Sequence, residues 1–193
     1  PGIIMLLLMM IPAMLTAVGV VREKEMGSIT NLYATPVTGL EFLLGKQLPY
    51  IGIAVLNFAS LVLLSLGLFQ VPIKGSVAAL VLGVILYVIA GTGVGLLIST
   101  FVKTQIAAIF ATAILTTLPA VQFSGFITPV SSLSGSARIM GYGFPSSHFQ
   151  QISLGTFTKA LGMNDLIIPL AALASFSVLF LMLSRALLKT QER

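Results

Sequence analysis

An all-α membrane protein with about five membrane-crossing helices is what this sequence predicts, on three observations. Hydrophobic residues make up 57% of the 193-residue chain and charged residues only 8%, with a mean hydropathy of +1.09. Soluble domains carry about 25% charged residues, so much of this surface must face lipid rather than water. The apolar residues fall into five runs, each close to the roughly 20 residues a bilayer crossing needs. The polar residues gather in two segments, 22–46 and 124–165, and in short turns.

Span A runs from Ile3 to Val21, broken only by Pro12, Thr16 and Gly19, and ends in the charge cluster Arg22-Glu23-Lys24-Glu25. Span B covers Leu48 to Phe69, and span C covers Val77 to Phe101 after the turn Gln70–Gly75. Span D follows Val102-Lys103-Thr104-Gln105 and runs from Ile106 to Phe123. Span E covers Leu166 to Leu183 and leads into a charged tail. The chain opens on Pro1 with no basic leader region and no small-residue cleavage site, so the first run is not read as a signal peptide. A start without Met sets the expectation of a piece cut from a longer protein. Cysteine is absent, which excludes disulfides and thiolate chemistry.

Orientation follows from short-loop Lys and Arg. Arg22, Lys24, Lys46, Lys103, Arg185, Lys189 and Arg193 fall on one side; Lys74, Arg138 and Lys159 fall on the other. The first side is expected to be cytoplasmic, with the C-terminus.

Segment 22–46 carries the most information. Gly27 weakens the helix leaving span A, and Ser28 can cap a new one. Ile29, Leu32 and Tyr33 share a face at i, i+3 and i+4. Thr35-Pro36 ends that helix. Thr38-x-x-Glu41 is a capping box for the next, which leads into span B and bends near Pro49. The result is a short amphipathic helix held between two spans. It reads either as an interfacial helix resting in headgroups or as a knob docking into a partner. Gly39-x5-Gly45-Lys46-Gln47 imitates a phosphate-binding loop, but it has one residue too many and Gln where Mg²⁺ needs Ser or Thr. Gly45 therefore reads as a packing site and Lys46 as a snorkelling anchor.

No acid or base lies centrally in any span, which argues against proton-coupled carriage. Thr112 and Thr116 share a face of span D, near Gln122. They could line a pathway or bond their own backbone or a neighbouring helix; Asn57 in span B is similar. Gly91-x-Gly93-x-Gly95 in span C favours close packing within the subunit over a dimer seam. In segment 124–165, Phe126, Pro129, Tyr142 and Phe144 suggest short helices dipping back into the outer leaflet, with core packing an equal alternative. His148 is the single histidine and has no triad geometry. No metal-ligand cluster and no nucleic-acid-binding surface is readable, and no catalytic residue is assigned.

The run Arg22-Glu23-x-Glu25-x-Gly27-Ser28-Ile29-x-x-Leu32-x-Ala34-Thr35-Pro36-Val37, followed by Glu41-Phe42-Leu43-Leu44-Gly45-Lys46-x-Leu48-Pro49, resembles the signature of ABC-2-type permeases. These are the membrane subunits of bacterial ABC exporters. The wording is nearest the branch that includes the membrane portion of the ribosome-associated ABC ATPase. The resemblance covers nearly the whole chain. It implies a single ABC-2 membrane domain over 1–193 that lacks a first span and its external segment. It implies a cytoplasmic coupling region at 22–46, with Arg22, Glu23 and Glu25 in polar contact with an ATPase and Ile29, Leu32 and Tyr33 packed against it, bounded by Gly27, Ser28 and Pro36. It also implies a re-entrant external hairpin over 124–165 that caps the exit path, with Phe126, Pro129, Met140, Tyr142 and Phe144 as candidate gate residues and core packing as their equal alternative. The partners expected are an ABC ATPase carrying ATP and Mg²⁺, a second permease half, membrane lipid and a periplasmic adaptor, with no cofactor on this chain. The function expected is ATP-driven export across a bacterial inner membrane. The rivals are a non-transporting mechanical anchor of an ABC ATPase and a secondary carrier.

Overall fold

The computed structural model describes residues 2–27 and 39–191, and the regular structure among them is helical. Five long helices form the bundle: α1 Gly2–Glu25, α2 Gly39–Gly67, α3 Val77–Phe101, α4 Gln105–Phe123 and α7 Ile167–Gln191. Two shorter ones, α5 Gly135–Tyr142 and α6 Pro145–Phe157, lie between α4 and α7. Each long helix contains a stretch long and apolar enough to cross a membrane; in α2 it is Leu44–Gly67, and the last is Asn164–Leu187. The five expected spans are therefore present, with the ends of the membrane-crossing stretches shifted by at most four residues.

Local chemistry sets these ends. Ser76 accepts the Ala79 N–H and starts α3, and Thr104 accepts the Ala107 N–H and starts α4. Pro145 opens α6, where its missing N–H costs nothing. Gly27, at φ +68°, closes α1 in the left-handed conformation that glycine adopts freely. α2 runs as one helix through Pro49.

The centre of the bundle is the crossing of α1 and α3. Gly91 and Gly95 face α1 so closely that a Cβ on Gly95 would lie 2.2 Å from the Ala13 carbonyl oxygen. Gly93, on the other face, meets Phe180 of α7. The glycine repeat thus brings backbones together inside the subunit, as expected, and gains dispersion contacts that lipid cannot supply. Half or more of the spans in α1 and α3 is buried, against 11% of the α2 span and 22% of the α4 span. α2 and α4 therefore turn most of their apolar surface outward, including Leu56, Leu63, Phe110 and Ile114. Among the described residues, nothing lies within 4 Å of where a Cβ on Gly45 would be.

The helices define two ends. At one, α1 finishes beside the start of α4; this is the charged end. At the other, Gly2 lies against Phe126, and α5 and α6 close the bundle as a cap. The loop after α2 is sewn to this cap, because Lys74 and Gly75 N–H donate to the Thr156 carbonyl and Ser76 N–H to Leu161. Inside the cap Tyr87 of α3 stacks on Phe149 of α6, with ring centroids 4.4 Å apart. The Tyr87 hydroxyl bonds the Met5 carbonyl (3.1 Å) and Ser146 Oγ (2.8 Å). All three residues are fully buried from α1, α3 and α6.

Candidate functional site

The last turn of α1 carries four consecutive charged residues, and helical geometry fans successive side chains about 100° apart. Three of them therefore reach three different helices. Glu23 forms an ion pair with Lys46 of α2. Lys24 donates to the Ser99 carbonyl, 2.6 Å away, in the last turn of α3. Glu25 Oε1 accepts the backbone N–H of Gln105 at 3.0 Å, and its other oxygen accepts the Gln105 side-chain amide. Arg22, the fourth, is exposed.

Each contact has a helix-end rationale. An α-helix ends with unsatisfied carbonyls and a partial negative charge, so an ammonium at the α3 terminus is favoured. The α4 terminus presents orphan N–H groups and partial positive charge, which suits a carboxylate. One turn of α1 thus caps two helices and pairs with a third. Behind this junction the Gln47 amide donates to Thr92 Oγ1 at 3.0 Å in a fully buried contact between α2 and α3. The Glu23 and Gln47 carbonyl-type oxygens Oε2 and Oε1 are buried without a partner among the described residues.

Of the residues expected to couple to a motor, Arg22, Glu23, Glu25 and Gly27 stand at this junction. Ser28, Ile29, Leu32, Tyr33 and Pro36 lie outside the described residues. Glu23 and Glu25 are engaged within the chain, and Lys46 is the ion-pair partner of Glu23.

Among the described residues, those expected along a pathway lie at separate places in the bundle. Thr112 and Thr116 belong to a small-residue stripe, Ala108-Thr112-Thr116-Ala120, buried where α4 packs on α1. Thr116 bonds the Thr112 carbonyl at 2.7 Å, the backbone option weighed from the sequence. Asn57 is half-buried on α2, and Gln122 is exposed at the end of α4. Of the gate residues, Pro129 and Tyr142 share the rim of a cleft at the cap end. Phe126 lies over Gly2, and Phe144 packs against the main core.

Five helices long and apolar enough to cross a membrane, tied together at a charged helix exit, define a multi-pass integral membrane protein. The family model for ABC-2 family transporter proteins matches residues 1–186, and the chain belongs to that family. It is 31% identical over its whole length to the probable multidrug ABC transporter permease YbhS of Escherichia coli K12, covering 51% of that protein. It is 28% identical over 151 residues to the probable multidrug ABC transporter permease YbhR, covering 77% of the chain and 40% of that protein. It is 25% identical over 193 residues to ABC transporter G family member 20 of Dictyostelium discoideum, covering 26% of that protein. The chain thus spans about half the length of the bacterial relatives it matches. No solved structure matches it.

Proposed function

We propose that this chain is the membrane-embedded permease portion of an ATP-driven ABC exporter in a bacterial inner membrane. The charged end faces the cytoplasm, where short-loop Lys and Arg concentrate. ATP and Mg²⁺ are held by an ABC ATPase, and this chain contributes no nucleotide chemistry of its own. Two permease halves enclose the path. The segment after Gly27 docks on the ATPase, and α5 with α6 forms the re-entrant cap that closes the exit. The names of YbhS and YbhR make amphiphilic drugs the first cargo to assay.

One observation carries this reading: the charged turn of α1 stands immediately before the proposed docking segment and is bonded to α2, α3 and α4. A push delivered at Gly27 reaches four spans through this turn, without needing a contact to each. The test is site-specific crosslinking in native membranes from Ile29 and Leu32. Capture of a nucleotide-hydrolysing subunit or domain is expected. Capture of phospholipid alone would remove the motor from the account.

A further inference from the structure

At the cap end a cleft of about 480 Å³ opens between α6, the loop after α4 and the start of α7. Its volume is in the range of small-ligand sites. Its floor holds Gln150, 95% buried by its 5% exposure, whose Oε1 has no partner among the described residues. A buried amide oxygen left open in this way costs free energy unless something donates to it. One cation and one anion stand among the lining residues, Lys159 and Asp165. They form no ion pair with each other. Asp165 Oδ2 accepts the Gly162 N–H at 3.0 Å, which fixes the carboxylate at the cleft. Lys159 is exposed and has no ion-pair partner among the described residues.

The cleft stands at the level where spans begin. α4 ends at Phe123 and the last crossing stretch begins at Asn164, so the charged pair sits at a bilayer boundary. Apolar side chains continue outward from it: Ile127, Ile167 and Ile168 are strongly exposed, the last at 80%. A ligand of the cleft therefore meets polar groups of both signs at its head and a lipid-facing apolar surface below.

We propose that this cleft binds the headgroup of a zwitterionic phospholipid that carries a primary ammonium. Lys159 takes the phosphate, a charge-assisted contact stronger than a neutral one. The ammonium donates to Asp165 and to the open Gln150 oxygen. The acyl chains run down the face that starts at Ile167 and Ile168. A purely anionic lipid satisfies Lys159 but faces the Asp165 carboxylate, and a quaternary ammonium cannot donate a hydrogen bond to either oxygen. Phosphatidylethanolamine is thus preferred over phosphatidylglycerol and phosphatidylcholine.

The test uses the whole protein, purified in detergent and exposed to equal amounts of the three lipids, with retained lipid read by native mass spectrometry. Phosphatidylethanolamine is expected to remain bound, with affinity lowered roughly tenfold by Lys159→Gln and by Asp165→Asn. Equal retention of all three lipids, or unchanged retention in both variants, would overturn the proposal. Competition with water-soluble glycerophosphoethanolamine separates headgroup from lipid: weak competition is expected, and displacement at equal concentration would contradict the role of the acyl chains. A second measurement does not depend on those variants. A photo-crosslinking side chain at the exposed Gln151 should capture phosphatidylethanolamine selectively from mixed vesicles, while one at Leu64 on α2 should capture lipids in proportion to their abundance. Proportional capture at Gln151 as well would also overturn it.

Discussion

At the cap end Tyr87, Phe149 and Ser146 lock α3 onto α6 entirely out of solvent, whereas at the charged end Glu23, Lys24 and Glu25 hold three helices through one ion pair and charged hydrogen bonds that are partly or fully exposed. The cap contacts are buried, stacked and short-ranged, so separating them forfeits dispersion and leaves orphan polar groups. The charged-end contacts are long side chains near a surface, where water competes, and a partly exposed pair such as Glu23–Lys46 adds at most about 1 kcal/mol. The comparison teaches a division of labour. The cap end supplies rigidity, and the charged end supplies connection between helices that can be made and remade at small cost.

The sharpest way to break that comparison is at the cap. Phe149→Ala removes a fully buried ring stacked on Tyr87, and a loss of about 3 kcal/mol is expected, read as a fall in thermal unfolding midpoint in detergent. Tyr87→Phe keeps the stack but leaves Ser146 and the Met5 carbonyl short of a partner, with an expected cost of about 1–2 kcal/mol by the same assay. At the charged end the effect on stability is smallest. Glu25→Gln keeps an acceptor for the Gln105 N–H but loses the charge at the α4 terminus, and only a slight fall in unfolding midpoint is expected, one that shrinks as salt is raised. A loss at Glu25 as large as that at Phe149 would erase the distinction between the two ends.

Much of the architecture was legible in the sequence. Five spans follow from apolar runs of bilayer length, because backbone groups in lipid leave few alternatives to a helix. The glycine repeat of span C was legible too, since small residues at helical spacing have little other use in a membrane. The charged run 22–25 was legible as a site, but not its wiring. Ser99 and Gln105 lie 75 and 80 residues from their partners, and no local periodicity encodes such contacts. Lys46 looked like a surface anchor for the same reason: its partner Glu23 is set by how α1 crosses α2. Gly45 has no close neighbour among the described residues, because a glycine in a helix signals close approach without naming what approaches. Tyr87 gave no sign at all; an aromatic in mid-span reads as lipid-facing until α6 stacks upon it.

The proposed function makes the Glu23–Lys46 pair the link that passes motion from the α1 exit into α2. It is tested by charge reversal in proteoliposomes holding the permease and the proposed ATPase partner. Glu23→Lys and Lys46→Glu alone are expected to cut ATP-coupled flux at least about tenfold, a 1.4 kcal/mol coupling, while leaving the unfolding midpoint nearly unchanged. The double reversal restores the pair and is expected to restore most of the flux. A double variant no better than either single one, or single variants that transport normally, would contradict the account.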